Sequence, residues 1–425
     1  MARNLPALAM MSAREAYNIL VQTHYATSDM KTSFIDNLTK IRYAFQAEVE
    51  DITGKPAKDF LPEPGHWKHI LRLPERPKVH WIKSLKNELL LLIKQMGTFL
   101  KEKPGPNDPI IAVTVKFQAK LKADGTIDKL KARICLRGDQ QAKYIDHDTW
   151  CAIATFRELR IFLTIAAKLK CRVYQLDFIG AFLQAVARNR VFTMLPVEWK
   201  ELFPELAEWF GIPLLLLKSL YGQTDSGKNW DLDQGEWLIN DFGFKRCPGA
   251  LSMYHYHSGN AYMYLINAVD DQLYFSNHEG LRKEFEARLK KRFDVELMGQ
   301  AHWYLQARIS QEANHSIVLD QARYMALIAA RFLPQHPTVN TIDEMKAKYS
   351  SPLPASFVPT KQDQSTNYLE VKELEDEFGF QYSSAVGMLI YLMNTAMTLQ
   401  HAIRKLAKFN ALPGRNHYKA LIHLI

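Results

Sequence analysis

The sequence predicts an α+β protein, and three observations carry that reading. Between Ile110 and Arg137, apolar and polar residues alternate on either side of an Asp-Gly pair, the pattern of a β-hairpin. Between Tyr262 and Ser276, a second apolar, β-prone stretch is interrupted by Asp270-Asp271. Around these lie segments whose apolar residues recur every three or four positions, the helical period. Composition agrees: 47% hydrophobic and 23% charged residues exclude a wholly disordered chain and supply a sizeable core. No apolar run approaches the ~18–20 residues of a membrane helix, so no membrane partner is expected. The four cysteines form no C-x-x-C pair, which leaves a zinc ribbon unsupported and points to a reduced, intracellular protein. A net charge of +9 favours a polyanionic partner such as nucleic acid.

The elements follow in chain order. Residues 1–60 read as weakly amphipathic helix, with Phe34, Leu38, Ile41, Phe45 and Val49 at helical spacing. Pro62, Pro64, Pro74 and Pro77 mark a linker candidate over Leu61–Pro77. A helix should then place Trp81, Leu85, Leu89, Leu92, Ile93 and Met96 on one face, and Pro104-Gly105-Pro106 breaks the chain. Ile111, Val113, Val115 and Phe117 share one side of the first hairpin strand, and Ala123-Asp124-Gly125-Thr126 is its turn. The return strand carries Lys129, Lys131, Arg133 and Arg137; alternate cations suit either a solvated edge or an anion-facing surface.

Arg157–Leu169 reads as helix and Arg172–Asp177 as strand. Asp177 thus sits at a strand end, where functional groups are commonly placed. Gly180-Ala181-Phe182 follows in a turn. Asp270-Asp271 has two readings, an exposed turn or a divalent-metal site, because burying unpaired carboxylates costs several kcal/mol per charge. Leu281, Phe285, Leu289 and Phe293 define a basic amphipathic helix whose charges either track phosphates or face solvent. Residues 334–366 read as a linker or long loop, and 382–425 as mostly helical. His255 and His257 share a strand face without a third ligand and read as surface residues.

Several fragments resemble, in order, the reverse transcriptase of copia-type LTR retrotransposons. Lys131-Ala132-Arg133 with Arg137-Gly138 resembles "YKARLVAKG". Tyr174-Gln175-Leu176-Asp177 with Gly180-Ala181-Phe182-Leu183 resembles "QLDVKTAFL". Leu217–Gly222, ending in Trp230, resembles "LKKALYGLKQAPRAW", and Val269-Asp270-Asp271 resembles the core of "YVDDM". Gln321–Tyr324 and Tyr382–Gly387 resemble "QxxY" and "YRSLVGxLxYL". The resemblance spans roughly residues 80–425.

It implies a palm, fingers and thumb, with a mostly antiparallel palm sheet and a helical C-terminal region. Expected divisions are 1–79 (helical region and linker), 80–279 (fingers and palm), 280–333 (thumb), 334–366 (linker or loop) and 367–425 (helical connection), with no ribonuclease H recognisable, as in a polymerase fragment of a Pol polyprotein. It also implies RNA-directed DNA polymerase activity by two Mg²⁺ ions, with Mn²⁺ as a substitute. Asp177, Asp270 and Asp271 are the expected metal ligands, Asp271 in an auxiliary role. Lys131 and Arg133 would hold the triphosphate, Phe182 would exclude a 2′-hydroxyl, and Tyr221 and Gly222 would flank the nucleotide. The implied partners are dNTP, an RNA template, a DNA primer and their RNA–DNA hybrid.

Four positions depart from the family pattern: Asp139 for Phe, Asp225 for Gln, Ala268 for an aromatic and Gln306 for Gly. A carboxylate at 225 is expected to repel a triphosphate. The alternative reading is therefore a catalytically inactive, nucleic-acid-binding relic that keeps the fold.

Overall fold

The computed structural model describes residues 51–122, 126–141, 149–333, 351–353 and 359–425. Most of the helical region expected over residues 1–60, the Asp124-Gly125 turn, and most of the linker or loop expected over 334–366 lie outside the described residues; within 51–60 only the single turn Ala57–Asp59 is helical, and it is a 3-10 turn.

The first layer is a five-stranded sheet. Its strands are β1 (Phe99–Lys101), β2 (Ile110–Leu121), β3 (Ile127–Leu136), β5 (Phe192–Met194) and β6 (Pro213–Leu216), in the order β1-β6-β5-β2-β3. The β2–β3 hairpin is antiparallel and places Lys131 opposite Gln118 and Arg133 opposite Lys116. Helix α1 (Glu75–Leu90) packs on it through Trp81, Leu85 and Leu89, and a π-turn over Leu91–Gln95 extends the buried face to Leu92 and Ile93. The proline-bearing stretch 61–77 is no linker. Its single turn Trp67–Ile70 buries both end residues in this core, Trp67 edge-on to Trp199 at 5.9 Å. The prolines punctuate a packed segment, because the apolar side chains between them have a surface to bury against.

The second layer is a six-stranded antiparallel sheet. It comprises β4 (Tyr174–Phe178), β7 (Lys245–Cys247), β8 (Ala250–Ser258), β9 (Ala261–Ala268), β10 (Asp271–Ser276) and β11 (Val295–Gln300), in the order β11-β4-β10-β9-β8-β7. One face packs on helices α3 (Ser226–Glu236) and α4 (Glu279–Arg292) through Leu176, Phe178, Trp230, Tyr274 and Phe285. The other packs on α2 (Phe156–Lys168) through Phe162, Ile266, Leu273 and Phe275. Helix α2 starts where Thr155 and Glu158 form a reciprocal capping box. The α+β expectation therefore holds, with antiparallel pairing throughout the second sheet.

The boundary expected at 279/280 falls inside this layer. Helix α4 buries Leu281, Phe285 and Leu289 under the sheet, and β11 pairs with β4. Three of its six cations are engaged within the helix: Arg282 with Glu286 at 2.5 Å, Lys283 with Glu279 at 2.9 Å and Arg288 with Glu284 at 3.4 Å. That is the pattern of a solvated face with i,i+4 pairs.

A small sheet of β12 (Trp303–Tyr304), β13 (Ala307–Gln311) and β14 (Ile317–Asp320) comes next. A helical region follows: α5 (Ala322–Phe332), α6 (Tyr368–Phe378), α7 (Tyr382–Leu392), α8 (Gln400–Ala407) and α9 (Arg415–Leu424). These helices share one core around Tyr382, Leu389, Leu406 and Tyr418.

The β12–β13 turn is Leu305-Gln306, with φ of 48° and 57°. Two left-handed residues match a two-residue hairpin turn, which favours Asn-Gly because a Cβ is strained there. Gln306 is where the family pattern has Gly. Gln306→Gly is expected to stabilise the protein by about 1 kcal/mol, read as a higher urea midpoint at unchanged m-value.

Candidate active site

The site is built on the second sheet. Asp177 lies next to the end of β4, paired with Asp271 of β10 on one side and Glu296 of β11 on the other. Directly paired residues of antiparallel strands point to the same face, so three carboxylates share one patch. Val269 and Asp270 form the tight turn between β9 and β10. Val269 adopts a φ of 58° and Asp270 is exposed at the tip. Two contacts hold the turn: Phe178 N–H donates to the Asp270 carbonyl at 2.8 Å, and Trp230 Nε1–H donates to the Val269 carbonyl at 2.8 Å. Trp230 is itself fixed edge-on against Phe178 at 4.8 Å. It is a packing residue, with its one polar atom on the turn. Trp150, by contrast, is 60% exposed.

Electrostatics follow from the crowding. Burial pushes the Asp177 carboxyl up to about 6, with Asp271, Asp270 and Glu296 adding repulsion and Lys120 opposing it. Burial also raises Asp271, while a hydrogen bond from Gln175 Nε2 at 3.0 Å pulls it back. Such a patch calls for a compensating cation.

The donor set fits magnesium by its chemistry: hard carboxylate oxygens with no sulfur or imidazole. Among the described residues no three His, Cys, Asp or Glu side chains close into a metal cage.

A second group lies beside the β2–β3 hairpin. Arg133 lies over the Tyr221 ring at 5.3 Å, and Tyr221 is edge-on to Phe182 at 6.0 Å. Burial pushes the Tyr221 hydroxyl up to about 12, with Glu88 and Asp270 adding to it and Arg133 opposing, so this ring sits between hairpin and turn. Gly222 has a φ of +78°, and a Cβ there would lie 2.3 Å from the Leu136 carbonyl. Lys131 is half-buried, and burial, with Arg133 and Lys120 nearby, lowers its ordinary value.

Asp225 does not face this group. It is 1% exposed and accepts from Asn189 Nδ2 at 2.6 Å, Gln141 Nε2 at 3.2 Å and Asn229 Nδ2 at 3.4 Å. Three amide donors hold the carboxylate inside the fold, so the expected repulsion of a triphosphate from position 225 is not met. Asp139 pairs with Arg137 through two bonds, at 2.6 and 3.2 Å, on the surface. Ala268 pairs with Asp271 at the end of β9.

Sequence reasoning missed Glu296, Gln175 and Glu88. Gln175 was legible in principle, since it lies two residues before Asp177 and shares its face. Glu296 and Glu88 carry no local signal, because each is brought in by an element distant in sequence.

Residues 100–340 match the reverse transcriptase (RNA-dependent DNA polymerase) family. The chain belongs to this family. Its reverse transcriptase domain is similar to retrovirus-related Pol polyproteins of plant copia-type transposons. The one from transposon TNT 1-94 of Nicotiana tabacum is 28% identical over 366 residues, covering 84% of this chain and 26% of the relative. That from transposon RE2 of Arabidopsis thaliana is 24% identical over 344 residues, covering 80% and 22%. The chain thus spans about a quarter of the length of the curated relatives it matches. Among solved structures, a foamy viral protease-reverse transcriptase in complex with RNA/DNA hybrid aligns over 94% of this chain and 46% of its own, at 11% identity and a TM-score of 0.33.

Proposed function

We propose that this chain is an RNA-directed DNA polymerase module that extends a DNA primer on an RNA template by two-metal nucleotidyl transfer. The observation that carries the proposal is the register of Asp177 opposite Asp271, beside the Asp270 turn. Asp177, Asp270 and Asp271 would hold Mg²⁺, or Mn²⁺ in its place. When bound, the metal pair stabilises the attacking primer oxygen and the leaving pyrophosphate.

The chain's own residues do the rest. Lys131 and Arg133 neutralise and orient the triphosphate. Tyr221 and Gly222 form the floor beside the nucleotide. Phe182, half-buried and backed by Tyr221, presents a ring edge that excludes a ribose 2′-hydroxyl. The basic surface binds the RNA–DNA hybrid in a salt-dependent, sequence-independent way. The fingers and palm run from about residue 80 to Gln300, and the helices after Gln321 supply the thumb and connection. The protein works inside the cell, in cytoplasm or nucleus; no helix among the described residues is long and apolar enough to cross a membrane.

The test is primer extension on an annealed RNA template with dNTPs and Mg²⁺, beside Asp270→Asn. Extension by the natural protein that is lost in the variant supports the reading. No extension by either, with hybrid binding retained and weakening as salt rises, replaces it with the non-catalytic binding relic.

A further inference from the structure

Helix α1 lays two polar side chains, four residues apart, along the outer edge of β3. Ser84 Oγ donates to the Leu130 carbonyl at 3.1 Å, and Glu88 accepts the Ile134 N–H at 3.2 Å. β3 is the last strand of its sheet, so these bonds cap an otherwise open edge. Capping an edge needs only an acceptor, which a neutral amide supplies. A carboxylate places a charge there as well, and Glu88 is only 6% exposed.

The groups around that charge are those assigned above to the nucleotide. Lys131 and Arg133, on β3, act on Glu88 through space, and Glu88 in turn acts on Tyr221 and Cys135. Arg133 Nε is buried without a hydrogen-bond partner among the described residues. Burial pushes the Glu88 carboxyl up to about 7, against the pull of the Ile134 N–H, Lys131 and Arg133.

We infer that Glu88 is a buried positioning residue that sets the strength of the triphosphate site. Ionised, it offsets part of the Lys131–Arg133 charge and weakens nucleotide binding; neutral, it leaves both cations to the triphosphate. The fingers hairpin thereby carries a built-in dependence of nucleotide affinity on the ionisation of Glu88. This rests on the proposed nucleotide role of Lys131 and Arg133.

The experiment compares the natural protein with Glu88→Gln, which keeps an acceptor for the Ile134 N–H. The KM for dNTP and kcat are measured from about pH 5.5 to 8.5, a range that brackets the ionisation of a raised carboxyl. At the alkaline end Glu88→Gln is expected to lower KM about fivefold at nearly unchanged kcat, the size expected for one screened charge near the phosphates. At the acid end the two KM values should converge, because Glu88 is then neutral in both proteins. Protonation of the nucleotide itself cancels in the ratio. Equal KM values throughout, a ratio that does not change with pH, or a higher KM in Glu88→Gln would overturn the inference. Binding of a non-hydrolysable dNTP analogue to the protein–primer–template complex gives the same comparison without turnover. Absence of both extension and analogue binding in the natural protein would instead refute the polymerase reading.

Discussion

Asp177→Asn is expected to abolish primer extension, by about a thousandfold or more, because it removes the carboxylate that lies between Asp271 and Glu296. The same change should stabilise the metal-free protein. The Asp177 carboxyl is raised to about 6 in the fold from an ordinary 3.8. As pH rises through that window, the unfolded chain gives up this proton before the folded one does. Folding is then linked to proton uptake, so stability falls between those values and stays lowered above them. The asparagine variant escapes that loss. In chelator, its advantage in urea unfolding should grow by about 1 kcal/mol between pH 4 and pH 8, a figure discounted because the group is half exposed. Added Mg²⁺ should then raise the midpoint of the natural protein and leave the variant nearly unmoved. An equal response of both proteins to Mg²⁺ would count against Asp177 as a ligand.

Gly222→Ala is expected to cost about 3 kcal/mol or more and to raise the KM for dNTP at least tenfold. The new methyl would lie 2.3 Å from the Leu136 carbonyl and 3.3 Å from its nitrogen, both backbone atoms. Neither can swing aside, because Leu136 N–H donates to the Tyr221 carbonyl at 2.7 Å. Gly138 meets the same crowding from the other side, its Cβ position lying 2.3 Å from the Gly222 carbonyl. Relief requires the loop to lift, which takes Tyr221 away from Arg133 and Phe182. Gly299 supplies the control. It has the same φ of +78° with no heavy atom within 4 Å of its Cβ position. Gly299→Ala should therefore show only the left-handed strain, about 1–2 kcal/mol, with nucleotide KM unchanged. Equal losses in the two variants would mean that backbone strain, not the collision, governs position 222.

Much of the scaffold was legible from local pattern. Trp81, Leu85, Leu89, Leu92 and Ile93 recur at helical spacing and are all buried. Leu281, Phe285, Leu289 and Phe293 do the same one layer away. Asp270-Asp271 between two apolar runs marked a hairpin, and the structure shows the turn: Asp270 sits at the exposed tip while Asp271 opens β10 opposite Asp177. Prolines misled at 61–77, because their punctuation says nothing about whether Trp67 and Ile70 find a core. Family analogy misled at 225, where the residue type is visible but its direction is not.

By itself, the residue order determined where helices and strands begin, which faces are apolar, and that an aspartate ends one strand while a pair sits between two others. Those properties depend on neighbours a few positions apart, through backbone preference and side-chain period. The tertiary structure alone decided that Asp177 pairs with both Asp271 and Glu296, that Gln175 reaches Asp271 across 96 residues of sequence, and that Glu88 is buried behind Lys131 and Arg133. Strand order, register and the burial of a charge are set by which distant surfaces pack together. The energy of a carboxylate depends on that company, and no local pattern encodes it.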